Sequence, residues 1–220
     1  MTDTANYYHL EQENTGSIYD IWEQGQNHGD SVTPSTWSET YKRMMFELLQ
    51  RHARATPARI LSLGCGNAVI EAKLVEAGHD VTGLDMNSEA VAYAAKKGLN
   101  AVQGDFYKYE PEEKFDIVYA DGFFGHLWGV QDNVSDIYER IAQKMLKPKG
   151  VIIVSNDAPR HTDKEVQKHP HVPDFHFVSS NYLASQAALI GLRNVEVNTF
   201  YYSRPVSGAC PRAIVSSEFV

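Results

Sequence analysis

Short apolar segments alternate along this chain with helical segments, and glycine closes the helices. Ile60-Leu61-Ser62-Leu63 runs into Gly64-Cys65-Gly66 and then into a helical stretch over 68–77, ended by Gly78. A strand over 80–84 and a helix over 88–97, closed by Gly98, repeat the unit. Further strands are expected at 101–102, 115–120 and 151–155, with a helix over 132–146 closed by Pro148 and Gly150. Parallel strands need long crossovers, so this alternation predicts a parallel sheet with helices on both faces. The continuous apolar runs at 60–63, 117–119 and 151–154 suit strands covered on both sides.

The flanks read differently. Over the first 35 residues Tyr7, Tyr8, Ile18, Tyr19, Ile21 and Trp22 are scattered among polar residues. That pattern predicts a short arm or lid over 1–35, packed onto a single domain over 36–220. Thr33-Pro34 is a helix start, and Trp37, Tyr41, Met44, Met45, Leu48 and Leu49 follow at helical spacing, which predicts one helix over 35–54. The stretch 158–178 is charged, rich in His and Pro, and is expected as a long loop or insert over the carboxyl edge of the sheet. A helix over 180–191 and strands over 195–203 and 213–219, joined by a turn at 205–211, complete the chain.

Composition excludes several classes. With 220 residues, 43% hydrophobic and 22% charged, the chain has material for one good core. Its net charge of -8 opposes a nucleic-acid partner. The 2 cysteines, Cys65 and Cys210, form no disulfide framework and suit a reducing cytoplasm. No window approaches the ~20 consecutive apolar residues of a membrane helix. The start of the chain has neither the basic nor the apolar segment of a secretory signal. A cytoplasmic protein that meets neither membrane nor nucleic acid is expected, with its oligomeric state open.

The chemistry concentrates at strand ends. The glycine turn after Leu63 lets backbone approach a ligand at the start of a helix. Asp85 ends the second strand about 20 residues later, where a carboxylate can accept from both hydroxyls of a ribose. Gly104-Asp105-Phe106 follows the third strand, placing a carboxylate for an adenine amino group and an aromatic ring to cover the base. All three elements fall at carboxyl ends, the edge where open α/β sheets bind ligands.

From Arg59 to about Asp157 the chain resembles the class I S-adenosylmethionine-dependent methyltransferases. The resemblance rests on Leu63-Gly64-Cys65-Gly66, Leu84-Asp85, Gly104-Asp105-Phe106, Phe115-Asp116-Ile117-Val118 and Leu146-Lys147-Pro148-Lys149-Gly150-Val151. It implies a Rossmann-like, seven-stranded, mostly parallel sheet whose last strand is antiparallel. It also implies a cofactor site at Gly64, Cys65, Gly66, Asp85, Met86, Asp105, Phe106 and Asp121. A nicotinamide-binding Rossmann enzyme is the competing reading, and the Gly-Asp-Phe and Leu-Lys-Pro-Lys-Gly elements argue against it.

Two departures stand out. Family members often carry an acid where this chain has Ser62, and a third glycine where it has Ala68. Alanine there reads as harmless. Ser62 removes negative charge near the methionine end of the cofactor, which eases deprotonation of that amine. Candidate catalytic residues are His126 as a base or cofactor contact, Asn156 as an uncharged orienting group, Ser203 on the sixth strand, and Tyr8 on the arm. His161, His169, His171 and His176 lack orderly ligand spacing, so no metal is expected.

The functional expectation is alkyl transfer from S-adenosylmethionine involving a small molecule, with methyl transfer first. A second reading is azetidine-2-carboxylate synthesis, in which the cofactor's own amine displaces methylthioadenosine. A third is a non-catalytic cofactor-binding partner protein.

Overall fold

The structure is a computed structural model and describes residues 17–128, 133–161 and 163–220. Its strands are β1 (Arg59–Leu63), β2 (Asp80–Asp85), β3 (Asn100–Gln103), β4 (Phe115–Asp121), β5 (Leu146–Asp157), β6 (Val166–Lys168), β7 (His176–Val178), β8 (Arg193–Arg204) and β9 (Gly208–Glu218). Seven of them form one sheet in the order β3-β2-β1-β4-β5-β9-β8. The first five pair in parallel, whereas β9 is antiparallel to both β5 and β8. The expected seven-stranded, mostly parallel sheet with an antiparallel last strand is therefore observed.

The helices are α1 (Ile18–Glu23), α2 (Pro34–Trp37), α3 (Glu39–His52), α4 (Val69–Glu76), α5 (Ser88–Lys96), α6 (Phe124–Leu127), α7 (Val134–Arg140) and α8 (Ser180–Leu189). One face of the sheet, with Leu61, Leu63, Val118, Ile152, Val154 and Val215, packs under residues of α7 and α8. The opposite face, with Ile60, Ile117, Tyr119, Ile153 and Ile214, packs under Tyr41, Met45, Leu48 and Leu49 of α3 and Ile70 and Leu74 of α4. Successive strand residues alternate between these faces, which is why the central strands are apolar at every position. Each fully buried Ile, Leu or Val contributes about 1.5–3 kcal/mol to this core.

Three expectations are corrected. The helix predicted over 35–54 is two helices, because Ser38 is extended (φ -113) and its hydroxyl accepts from Tyr41 N–H at 3.3 Å to start α3 anew. The helix predicted over 132–146 is α7 followed by one wider π turn, Ile141–Met145. The stretch 158–178, expected as a loop or insert without regular structure, is an insert with its own antiparallel hairpin, β6 and β7, aligning Val166 with Val178 and Lys168 with His176. Weak alternation hid those three-residue strands. Tyr7 and Tyr8 lie outside the described residues.

Candidate active site

The turn after β1 is clipped to the end of β2. Gly64 and Cys65 N–H donate to Leu84 O at 2.8 and 3.3 Å, and Gly66 N–H donates to Asp85 Oδ2 at 3.0 Å. Gly64 is left-handed (φ 64), and a Cβ there would lie 2.7 Å from the Phe123 ring. Only glycine meets both constraints. Ala68 is also left-handed (φ 51) and gives α4 no side-chain cap. Contrary to expectation, alanine is not harmless here, since its Cβ strains that conformation. Cys65 is buried, and a Cβ on Gly83 would lie 2.9 Å from its sulfur, so the thiol faces the sheet. Burial raises that thiol well above its ordinary range, and Cys65 offers the site its backbone alone.

Asp85 Oδ1 accepts from Asn87 N–H at 2.9 Å, and burial raises its carboxyl despite these backbone donors. Met86 beside it is 71% exposed, an apolar side chain left uncovered at the strand end. Gly104 N–H donates to Asp85 O at 2.9 Å, bringing the turn after β3 alongside. Within that turn Asp105 Oδ1 accepts from Tyr107 N–H at 2.9 Å. Phe106 departs from its expected role. Its ring is buried in the core, edge-on to Phe123 at 5.5 Å and under the Arg140 guanidinium at 5.6 Å. It floors the turn, whereas Met86 is an exposed apolar side chain.

The glycine turn opens on a narrow cleft of about 60 Å³, lined by Gly64 to Val69, Glu71 and Asp121 on one side and by Trp22, Thr33, Ser35 and Thr36 on the other. The segment before α3 is therefore one wall. It is held there by Asn67 Nδ2, which donates to Tyr19 O at 3.0 Å and Glu23 Oε2 at 2.8 Å, and by Lys97 Nζ, which donates to Asn67 O at 2.6 Å.

Ser62 contradicts the idea that negative charge is missing from this end. Its hydroxyl donates to Glu71 Oε1 at 2.6 Å, and Glu71 is buried on α4. A carboxyl thus stands beside the position where family members carry one, reached from the helix instead of the strand. Burial pushes Glu71 up to about 7, with the Ser62 hydrogen bond opposing the rise.

Beyond Glu71 the carboxyl ends of β4 and β5 carry a buried ionic cluster that motif reading missed. Arg212 of β9 donates from Nη1 to Asp157 Oδ1 at 2.7 Å, from Nε to Ser155 Oγ at 2.8 Å, and from Nη2 to Asp121 Oδ1. Tyr41 of α3 and Tyr119 donate to Asp121 at 2.9 and 3.0 Å. Arg204 pairs with Asp157, and Tyr202 donates to it at 3.1 Å. Burial would raise the Asp157 carboxyl, but Arg212 and Arg204 hold it below its ordinary range. The alternation of β5 could have flagged this: Ser155 and Asp157 sit on one face of a strand otherwise apolar there.

The expected catalytic residues separate. Asn156 is fully buried on the opposite face. Its Oδ1 accepts from Gly125 N–H at 2.9 Å, while Nδ2 donates to Asp157 O at 2.9 Å and His176 O at 3.1 Å. It docks α6 onto β5 and β7, so the expected orienting amide is a structural anchor. His126 on α6 packs edge-on to Phe175 at 4.7 Å, and burial pushes it down to about 4, making it a weak proton acceptor. Ser203 is exposed on the outer face of β8 beside Tyr201, while Tyr202 turns inward to the cluster. Ser203 therefore does not share a site with Asp157. Tyr8 lies outside the described residues. Among the described residues, no group of three or more His, Cys, Asp or Glu could hold a metal, and His169 Nδ1 instead accepts from Val172 N–H at 2.8 Å.

Residues 61–154 match the model of a methyltransferase domain. Over 200 residues, spanning 90% of this chain and 79% of the relative, it is 36% identical to a tabtoxin biosynthesis enzyme of Pseudomonas amygdali pv. tabaci.

The chain belongs to the class I S-adenosylmethionine-dependent methyltransferases.

Other members match it in part. A probable thiol methyltransferase of Arabidopsis thaliana is 29% identical over 103 residues, 43% of this chain and 44% of that one. The fold agrees with the crystal structure of a 1,6-didemethyltoxoflavin-N1-methyltransferase of Burkholderia thailandensis, at a TM-score of 0.65 and 18% identity, covering 100% of this chain and 92% of that one. As in this family generally, the cosubstrate is S-adenosylmethionine. The residues present fit it: Asp85 could accept from a ribose, Met86 is an uncovered apolar surface, and Asn67 Oδ1, on a residue lining the cleft, is buried with no hydrogen-bond partner among the described residues.

Proposed function

We propose that this methyltransferase-fold enzyme transfers the methyl group of S-adenosylmethionine to a small metabolite. The cleft carries this reading. It lies at the carboxyl edge of the sheet, where open α/β sheets bind ligands, and Trp22, Thr33, Ser35 and Thr36 form its facing wall. Asp85 would accept from the ribose hydroxyls, Asp105 from the adenine amino group, and Met86 would lie against the base. Gly64 and Gly66 would let backbone approach the ligand. Asp121 lines the methionine end with its carboxylate committed to Tyr41, Tyr119 and Arg212. The sulfonium supplies the driving force, so these residues mainly orient the donor and exclude water. The net charge of -8 supports a metabolite acceptor over a nucleic acid.

One observation favours a second reading, intramolecular cyclisation. Glu71 is a carboxyl near neutrality beside the cleft, matched to taking a proton from the cofactor's ammonium. Glu71 would accept that proton. The freed nitrogen would bond to the γ-carbon as the carbon–sulfur bond breaks, and methylthioadenosine would leave with the electron pair. Mass spectrometry of the protein with S-adenosylmethionine alone separates the two, against a boiled control. Methyl transfer predicts unchanged cosubstrate until an acceptor is added, and then S-adenosylhomocysteine. Methylthioadenosine with azetidine-2-carboxylate would overturn it in favour of cyclisation.

A further inference from the structure

Two acceptor residues, Glu71 and Asn67, line one cleft. Glu71 Oε1 takes the Ser62 hydroxyl at 2.6 Å, and among the described residues no cation forms an ion pair with this carboxyl. Asn67 commits its amide nitrogen to Tyr19 O and Glu23 Oε2, which orients Oδ1 as the free end, and that oxygen is buried with no partner. Both residues line the cleft, four positions apart across the left-handed Ala68. An unpartnered buried carbonyl is costly, and a buried acid without a cation is costlier still. Asp121, the nearest further carboxylate along the wall, is already paired with Arg212.

We infer that Glu71 and Asn67 form an acceptor pair for the α-ammonium of S-adenosylmethionine, with Glu71 supplying from α4 the carboxylate that Ser62 does not carry on β1. The inference rests on the reading of this cleft as the cosubstrate site. An ammonium has three donors and no acceptor, so it complements two oxygens and repels no neighbouring donor. Ser62 then acts as a positioning residue that holds the Glu71 carboxyl towards the cleft. Burial raises the Glu71 proton affinity, and a bound ammonium would draw the carboxyl back to the ionised form.

Calorimetry with three probes tests this: S-adenosylmethionine, S-adenosylhomocysteine and methylthioadenosine, the last lacking the amino-acid arm. At pH 8, Glu71→Gln should weaken the first two by about tenfold or more, as expected for a lost charge-assisted hydrogen bond. It should leave methylthioadenosine within about twofold, because no ammonium is present to lose. Adding Ser62→Asp to Glu71→Gln should recover binding of the first two by returning a carboxylate to the strand. Equal weakening of all three probes, or no weakening of any, would overturn the inference while leaving the cosubstrate site intact. Failure of the unmodified protein to bind any of the three would instead overturn the reading of the cleft.

Discussion

Arg212 Nη1 lies 2.7 Å from Asp157 Oδ1, and each residue is 3% exposed. The pair joins β9 to the carboxyl end of β5, next to its partner in register: Asp157 aligns with Arg212 across the antiparallel ladder. Removing the cation leaves the half-buried Asp121 without its counter-charge and the buried Asp157 with Arg204 alone. Arg212→Met should therefore cost about 3–5 kcal/mol of stability. Urea denaturation measures it, and a cost below about 1 kcal/mol would mean that water reaches the cluster.

Asn156 was expected to act on substrate and instead bridges Gly125, Asp157 and His176. Asn156→Ala removes the partner of a buried N–H and of two carbonyls, so stability should fall by about 2–3 kcal/mol. Thermal unfolding in the absence of any ligand isolates this effect from cosubstrate binding. An unchanged midpoint would return Asn156 to the list of candidate substrate contacts.

Glu71 sets a pH dependence with a definite sign. Its carboxyl rises from 4.5 to about 7 on folding, so between those values the folded chain binds more protons than the unfolded chain. Its contribution is fully present below about 4.5, is lost as pH rises towards 7, and amounts to about 3 kcal/mol. Asp121, Lys97, Cys65 and Tyr119 are the ionisable groups that sense it. Asp157 acts oppositely, because its depressed carboxyl contributes stability at neutral pH that is lost on acidification. Glu71→Gln should flatten the slope between pH 5 and 7 and stabilise the free protein at pH 8, as read from denaturation midpoints across that range.

Ala68 holds φ 51 at the start of α4. Ala68→Gly should stabilise the chain by about 0.5–1 kcal/mol, the relief of left-handed strain less the added backbone entropy of the unfolded state. Differential scanning calorimetry would detect the rise, and a fall would mean that the methyl group's packing outweighs the strain.

Asp85 tests the ribose end independently of Glu71. Asp85→Ala should weaken S-adenosylmethionine and methylthioadenosine alike, by about 1–3 kcal/mol, since both carry the same ribose. Equal affinity in titration calorimetry would remove Asp85 from the site. Because Asp85 Oδ2 also accepts from Gly66 N–H at 3.0 Å, a circular dichroism control for folding belongs with it.

Much of the architecture was legible because its signals are local. Glycine closures at Gly78 and Gly98 and the apolar runs of β1, β4 and β5 mark elements whose period and ends depend on neighbouring residues alone. The glycine turn, Asp85 and the Gly104 turn were legible for the same reason, each lying at the end of one such element. Local signals failed where packing overrode them. Ser38 breaks an otherwise helical run, and β6 and β7 are too short to alternate visibly yet pair through Val166 and Val178.

By itself, then, the sequence determined the order of strands and helices and the edge where a ligand would sit, because hydrophobic period and backbone freedom act over a few residues. Tertiary structure alone decided which polar side chains work together. Ser62 meets Glu71 from a neighbouring helix, and Arg212 reaches Asp121, Ser155 and Asp157 from the last strand. Such contacts are short-range in space and distant in sequence, so no spacing rule reports them. The same burial that joins these groups sets their charge, which is why the proton affinity of Glu71 and the structural role of Asn156 emerge only when the sheet closes around them.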